Sequence, residues 1–173
     1  METLHDMKND KSASVPFFLS VLLLLSLPGS PARAGEAEDW AAGMAVGEAA
    51  IKDGRYADAV DAFRKSAGQA QSFGISDERH IRSLGKLAEA QNCAADAQAA
   101  EATARKALEL AEKHLGADSV ETARAANQLG DALFSQEKNA EAMPLYKRAL
   151  AIRKKALGAE HADTAETMGC IGL

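Results

Sequence analysis

The chain has 173 residues, a length that fits one domain, and 47% of them are hydrophobic but only 5% aromatic, with alanine carrying much of the apolar count. Such a composition suits helices packed closely through small side chains and argues against a β-sandwich, which draws on Val, Ile, Thr and aromatics. A formal net charge of −5 and a pI near 5.4 speak against nucleic acid as a partner, since its binders carry a basic stripe.

In chain order, the first feature is "VPFFLSVLLLLSL", Val15 to Leu27, a 13-residue apolar run. It is shorter than the roughly 20 residues that a membrane-spanning helix needs. Pro28, Gly29, Ser30 and Pro31 follow, then Ala32-Arg33-Ala34, whose small side chains satisfy the A-x-A pattern of a signal peptidase site. The expectation is a signal peptide over 1–34, cleaved after Ala34, with the mature chain exported to the periplasm or secreted and no membrane span left in it. There is no Cys at the site, which excludes lipidation there. Glu2, Asp6 and Asp10 offset Lys8 and Lys11, whereas a start at Met7 would give the net positive "MKNDK" that export favours. Removing 1–34 deletes three basic and three acidic residues, so the charge remains −5. Residues 35–39 read as a short linker.

Beyond it the sequence repeats itself. "TARKALELAEKHLG" (103–116) returns as "LYKRALAIRKKALG" (145–158), with Ala149, Leu150, Lys155, Leu157 and Gly158 each 42 residues after Ala107, Leu108, Lys113, Leu115 and Gly116. At the same offset Leu129-Gly130 recur as Ile171-Gly172, and Ala142, Tyr146 and Ala149 answer Ala100, Ala104 and Ala107. Ala59, Phe63 and Ser66 stand 41 residues before that last set, which makes "DGRYADAVDAFRKSAGQA" (Asp53 to Ala70) a first copy. A fixed period of this length means a stack of supersecondary units, because one helix pair cannot bury its apolar face alone.

Within a unit the apolar steps are helical: Leu145, Ala149, Ile152 and Ala156 advance by 4, 3 and 4. Asp118 with Glu121 offers a D-x-x-E helix start, and Ser76 a cap for the equivalent earlier helix. Gly74, Gly116 and Gly158 stand where helices must end. Pro144 falls near the start of its helix. The pattern predicts antiparallel pairs at about 39–52 with 56–73, 77–94 with 96–115, and 118–136 with 139–157, then a lone helix from near 162 to the terminus; these boundaries are good to about two to four residues.

Gly47, Ala59, Phe63 and Ser66 match Gly130, Ala142, Tyr146 and Ala149 in the third copy. This spacing of small residues and one aromatic resembles the tetratricopeptide repeat, and the 42-residue length, against the usual 34, resembles the longer-helix form of kinesin light chains. The resemblance is strong in copy three and weakest in copy two, where Ala104 stands for the aromatic. In copy three Glu137 replaces the turn glycine that Gly54 supplies in copy one. It implies an all-α solenoid over 40–173, with repeats at 40–76, 77–117 and 118–160 and a partial repeat at 161–173.

No catalytic constellation, cofactor motif or metal-ligand spacing is evident. His80, His114 and His161 are scattered, with no H-E-x-x-H or C-x-x-C, and "GISDERHIRSLGK" lacks the phosphate-loop arrangement. His114 and His161 fall at helix ends, in capping or solvent roles. The acidic residues and the basic cluster Lys147, Arg148, Arg153, Lys154, Lys155 read as solvated helix faces. Cys93 and Cys170 are one helix pair apart, beyond the roughly 7 Å that a disulfide bridges, so no bond between them is expected.

What the resemblance implies for function is binding, by the first helix of each pair, of a peptide segment from a partner protein. Its groove positions fall on Met44, Glu48 and Ile51 in copy one, Arg82, Glu89 and Asn92 in copy two, and Arg124, Asn127, Asp131 and Phe134 in copy three. Arg82 and Arg124, one repeat apart, would suit acidic groups on a partner. The alternative is a structural protein that self-associates into a homo-oligomer through an uncapped edge, since "ETMGCIGL" stops partway through a fourth unit with Ile171 and Leu173 apolar; a truncated gene product would end the same way. An enzyme is not expected.

Overall fold

The computed structural model describes residues 31–172, with side chains from residue 34 onward. The apolar run at 15–27, the two candidate starts, most of the expected signal segment and Leu173 therefore lie outside the described residues. Residues 38 onward form one compact unit, which carries the repeats. Among the described residues there are seven α-helices and no strand: α1 (Pro31–Lys52), α2 (Tyr56–Ala70), α3 (Glu78–Cys93), α4 (Ala97–His114), α5 (Val120–Phe134), α6 (Asn139–Leu157) and α7 (Ala162–Ile171), with one 3-10 turn at Gln71–Phe73. Helix α1 runs back through residues 35–39, read from the sequence as a linker. Ala and Glu there are strong helix formers, and proline at a first helical position costs little.

The caps differ from those read off the sequence. Asp77, not Ser76, caps α3 by accepting from the Arg79 amide at 2.8 Å. Ser119, not Asp118, caps α5 by accepting from the Thr122 amide at 3.1 Å. Asp118 lies one residue too early and reaches Lys155 at 3.0 Å instead. Both true caps sit in extended backbone directly before the helix, where a short acceptor meets the free amides of the first turn. His161 caps α7 in the same way, its Nδ1 accepting from the Asp163 amide at 3.1 Å.

The turn inside each pair demands one left-handed residue. Gly54 supplies it in copy one at φ +72°, but Ala95 and Glu137 hold φ +64° and +61° at the equivalent places. A Cβ makes that conformation costly, so copies two and three carry local strain that copy one avoids.

Two residue patterns join the helices. In copy one a Cβ on Gly47 would meet the Phe63 ring at 2.5 Å, and one on Gly43 would meet Ser66 at 2.5 Å. Descending numbers in α1 facing ascending ones in α2 make the pair antiparallel. In copy three a Cβ on Gly130 would meet Tyr146 at 2.7 Å. Copy two lacks both partners of this contact: Ala88 replaces the glycine, Ala104 replaces the aromatic, and both are buried. Between units, Thr122 donates to the Gly116 carbonyl at 2.7 Å and Thr164 to the Gly158 carbonyl at 2.8 Å. Both threonines are fully buried. The same position in α3 is His80, 1% exposed, whose Nδ1 lies 3.1 Å from the Ala67 carbonyl.

Second helices pack on the next first helix, α2 on α3, α4 on α5 and α6 on α7, while α3 also lies against α5. The core is built largely of alanine around a few large anchors, with Met44, Phe63 and Leu87 at one end and Ile81, Leu84, Leu129, Leu133, Tyr146 and Ile152 through the rest.

Two charged sets read as solvated faces are not wholly so. Arg153 is 2% exposed and donates from Nη1 to the Asp163 carbonyl at 2.6 Å, to Thr167 Oγ1 at 2.5 Å and to Glu166 at 3.2 Å. It ties α6 to α7, and the alternation of charge along α6 gave no sign that one cation turned inward. Glu101 on α4 accepts from Arg105, from Lys138 at 3.0 Å and from Gln136 at 2.8 Å, which holds its carboxyl at about 2.

Candidate functional site: a charged cleft along the first helices

Because successive units superpose, residues at one position of α1, α3, α5 and α7 form rows. Glu48, Glu89 and Asp131 make a carboxylate row; Arg82, Arg124 and Glu166 a second; Lys86, Gln128 and Cys170 a third, at offsets of 41 or 42. Apart from Cys170, these rows line a cleft of about 710 Å³, to which α6 contributes Arg153 and α7 adds Ala162 and Asp163.

Of the residues singled out in the sequence, Glu48, Arg82, Glu89, Arg124, Asn127 and Asp131 come together in this cleft. Met44 does not: it is buried beneath, in the core, with Ser83 Oγ 3.6 Å from its sulfur. An unbranched apolar chain at that position folds onto the core rather than facing water. Asn92 and Phe134 stand at the C-terminal ends of α3 and α5, outside the cleft lining, and Phe134 is 57% exposed. Lys86, Gln128, Arg153, Asp163 and Glu166 line the cleft and were not anticipated. Carrying the 42-residue offset one unit further from Arg124 finds Glu166, and the same step links Lys86, Gln128 and Cys170. Nothing in the local pattern announces Arg153.

The cations of the cleft are already paired. Glu121, 8% exposed, accepts both Arg82 at 3.5 Å and Arg124, whose Nη1 lies 3.0 Å from each of its oxygens. Arg82 also meets Glu78, and Arg124 stands 3.9 Å from Asp163. Lys86 bridges Glu89 at 3.0 Å and Glu48 at 4.0 Å. Neither arginine is therefore left waiting for an acidic group.

Asp131 is the exception among the carboxylates. It accepts from the Tyr146 hydroxyl at 2.8 Å and from Asn127 Nδ2 at 3.2 Å, with the Cys170 thiol 3.9 Å away. No cation lies within ion-pair distance of it among the described residues. Burial lifts its carboxyl to about 6 against the pull of the Tyr146 hydrogen bond, and the nearby Glu166 and Glu89 push the same way. Burial also raises Tyr146, with the Asp131 charge beside it adding to the shift. Cys93 and Cys170 are free thiols. Both are pushed up by burial and then by neighbouring carboxylates, the reverse of an activated nucleophile. No cluster of three or more His, Cys, Asp or Glu residues able to hold a metal occurs among the described residues. Nor is any described helix long and apolar enough to cross a membrane.

The tetratricopeptide repeat family model matches residues 122–163, the third unit and the start of the fourth. No curated protein sequence matches the chain. Among solved structures, a putative kinesin light chain from Podosopora anserina with nearly identical TPR-like repeats is similar at TM-score 0.66 and 17% identity, over 75% of this chain and 62% of that one. BtubC (BKLC) from P. vanneervenii is similar at TM-score 0.65 and 21% identity, over 77% of this chain and 54% of that one. The chain thus spans about 62% and 54% of the length of these relatives. The fold is a tetratricopeptide-type α-solenoid of antiparallel helix pairs.

Proposed function

We propose that the chain is an exported, non-enzymatic protein–protein interaction module that holds an extended peptide segment of a partner protein in the cleft along α3, α5 and α7. The observation that carries this reading is the set of polar rows from successive first helices meeting in one cleft, whose cations are all paired with carboxylates. Repeat solenoids present extended binding surfaces of this kind. The reading includes no cofactor, and a lining of five carboxylates against four cations does not suit nucleic acid.

Panning a random 12-residue peptide library on the protein, then mapping the enriched peptides by amide chemical shifts, tests the reading. Shifts confined to the first helices support it; shifts spread over α2 and α4, or no enrichment, overturn it. Export is tested separately by fusing residues 1–34 to a reporter active only outside the cytoplasm. Active reporter released by cleavage after Ala34 is expected, and a retained, uncleaved fusion overturns export.

Self-association is a second reading with one observation in its favour. Ala165 of α7 is exposed where its counterpart Ala123 of α5 is buried. A monomer mass that holds at high concentration in sedimentation removes it.

A further inference from the structure

Charge accounting in the cleft points to what it takes. Five carboxylates line it (Glu48, Glu89, Asp131, Asp163, Glu166) against four cations (Arg82, Lys86, Arg124, Arg153). Two of those cations are also shared with Glu121, and Arg153 is committed to α7. The uncompensated charge falls at Asp131, half-buried and without an ion-pair partner. A desolvated carboxylate in such a position costs stability unless a cation arrives.

A second, independent feature lies beside it. Asn127 is 3% exposed and lines the same cleft. Its Nδ2 is used on Asp131, but its Oδ1 has no hydrogen-bond partner. Buried acceptors are rarely left so. A carboxylate lacking a countercharge next to an amide oxygen lacking a donor is the complement of a group that has both positive charge and several N–H bonds.

We propose that the peptide held in the cleft places a lysine or arginine side chain against Asp131, the Asn127 amide turning its covered, unpartnered oxygen toward the cation as the adjoining acceptor. This rests on the peptide-binding reading and narrows it, in the direction opposite to the acidic partner that Arg82 and Arg124 first suggested. The groups facing Asp131 are Glu89 and Cys93 on α3, Tyr146 and Arg153 on α6, and Glu166 and Cys170 on α7. Of these Arg153 alone is cationic, and it is occupied. Protons compete for the same carboxylate, so binding weakens as the pH falls through about 6.

The test uses the full chain and three fluorescein-labelled pools of nine-residue peptides whose varied positions are restricted to Lys/Arg, to Asp/Glu, or to Gln/Asn. Anisotropy is read at pH 7.5 and 5. The basic pool should bind about tenfold tighter than the others, the worth of one charge-assisted contact. Asp131→Asn should remove that advantage, while Asp61→Asn, on the exposed face of α2, should keep it and so control for the acidity of the whole molecule. Wild-type affinity for the basic pool should fall at pH 5, and that of Asp131→Asn should not. Preference for the acidic pool overturns the inference and leaves the peptide-binding reading standing. Basic-pool binding indifferent to Asp131→Asn also overturns it. Failure of all three pools to bind overturns both readings.

Discussion

The ring of Tyr146 occupies the space that a side chain on Gly130 would need, since a Cβ there would lie 2.7 Å from Tyr146 Cε1. The two residues are therefore one packing device, and copy two shows its alternative in Ala88 with Ala104. Gly130→Ala alone should destabilise by about 1–3 kcal/mol through overpacking, and Tyr146→Ala alone by about 3–5 kcal/mol through a cavity. The double variant should cost less than the sum by more than about 1 kcal/mol, a coupling that urea denaturation of the full cycle measures. Simple additivity would show that the two sites do not share the space.

Replacing the left-handed Ala95 or Glu137 with glycine should raise stability. The strain relieved is about 1–2 kcal/mol, part of which the looser unfolded chain takes back, leaving a gain of about 0.5–1 kcal/mol each. Neither residue is buried, so packing should not interfere. A lowered denaturation midpoint in both variants would contradict the backbone geometry.

His80 holds the joint that threonine holds in the later units, and burial lowers its pKa, aided by Lys106, against the hydrogen bond to Ala67. A folded-state pKa below the unfolded one means that the neutral ring is favoured in the fold. Its stability is present above about 6.5 and is lost as the pH falls below that value. Denaturation midpoints should therefore drop between pH 7.5 and 5.5 more in the wild type than in His80→Gln. Parallel pH profiles for the two proteins would rule out a buried, neutral His80.

For Asp131 the sign is opposite. Its pKa is raised, so the folded state gains when it is protonated, and that advantage is lost as the pH rises from about 3.8 to about 6. Asp131→Asn should accordingly be more stable than the wild type at pH 7.5, by roughly 1–2 kcal/mol. Thermal melts check this. Stability given up at a position that lines the cleft is the pattern of a binding residue.

The architecture was legible because it is written in a period. The 42-residue offset delivered all three pairs and the lone helix, with boundaries within a few residues except at α1, where no breaker follows Gly35. Capping was read one residue off twice, because Ser76 and Asp118 are as competent chemically as Asp77 and Ser119, and only the backbone decides which meets the amides. The groove positions implied by the family resemblance put six residues on this cleft, and carrying the same offset on from Arg124 reaches Glu166 as well. Arg153 and Met44 escaped it, since whether a long side chain turns inward depends on the neighbouring helix and not on its own sequence. Thr122 and Thr164 were overlooked because their work is done on carbonyls six residues away.

The carboxylate row has a metric consequence. Neighbouring packed helices stand about 8–10 Å apart, and an extended chain advances about 3.3 Å per residue. Glu48, Glu89 and Asp131 thus act as rungs set at every third residue of whatever lies across them. Lys86 already bridges the first two rungs, so a guest laid across the row finds the third one open, and a single basic side chain fixes where along the ladder it stops.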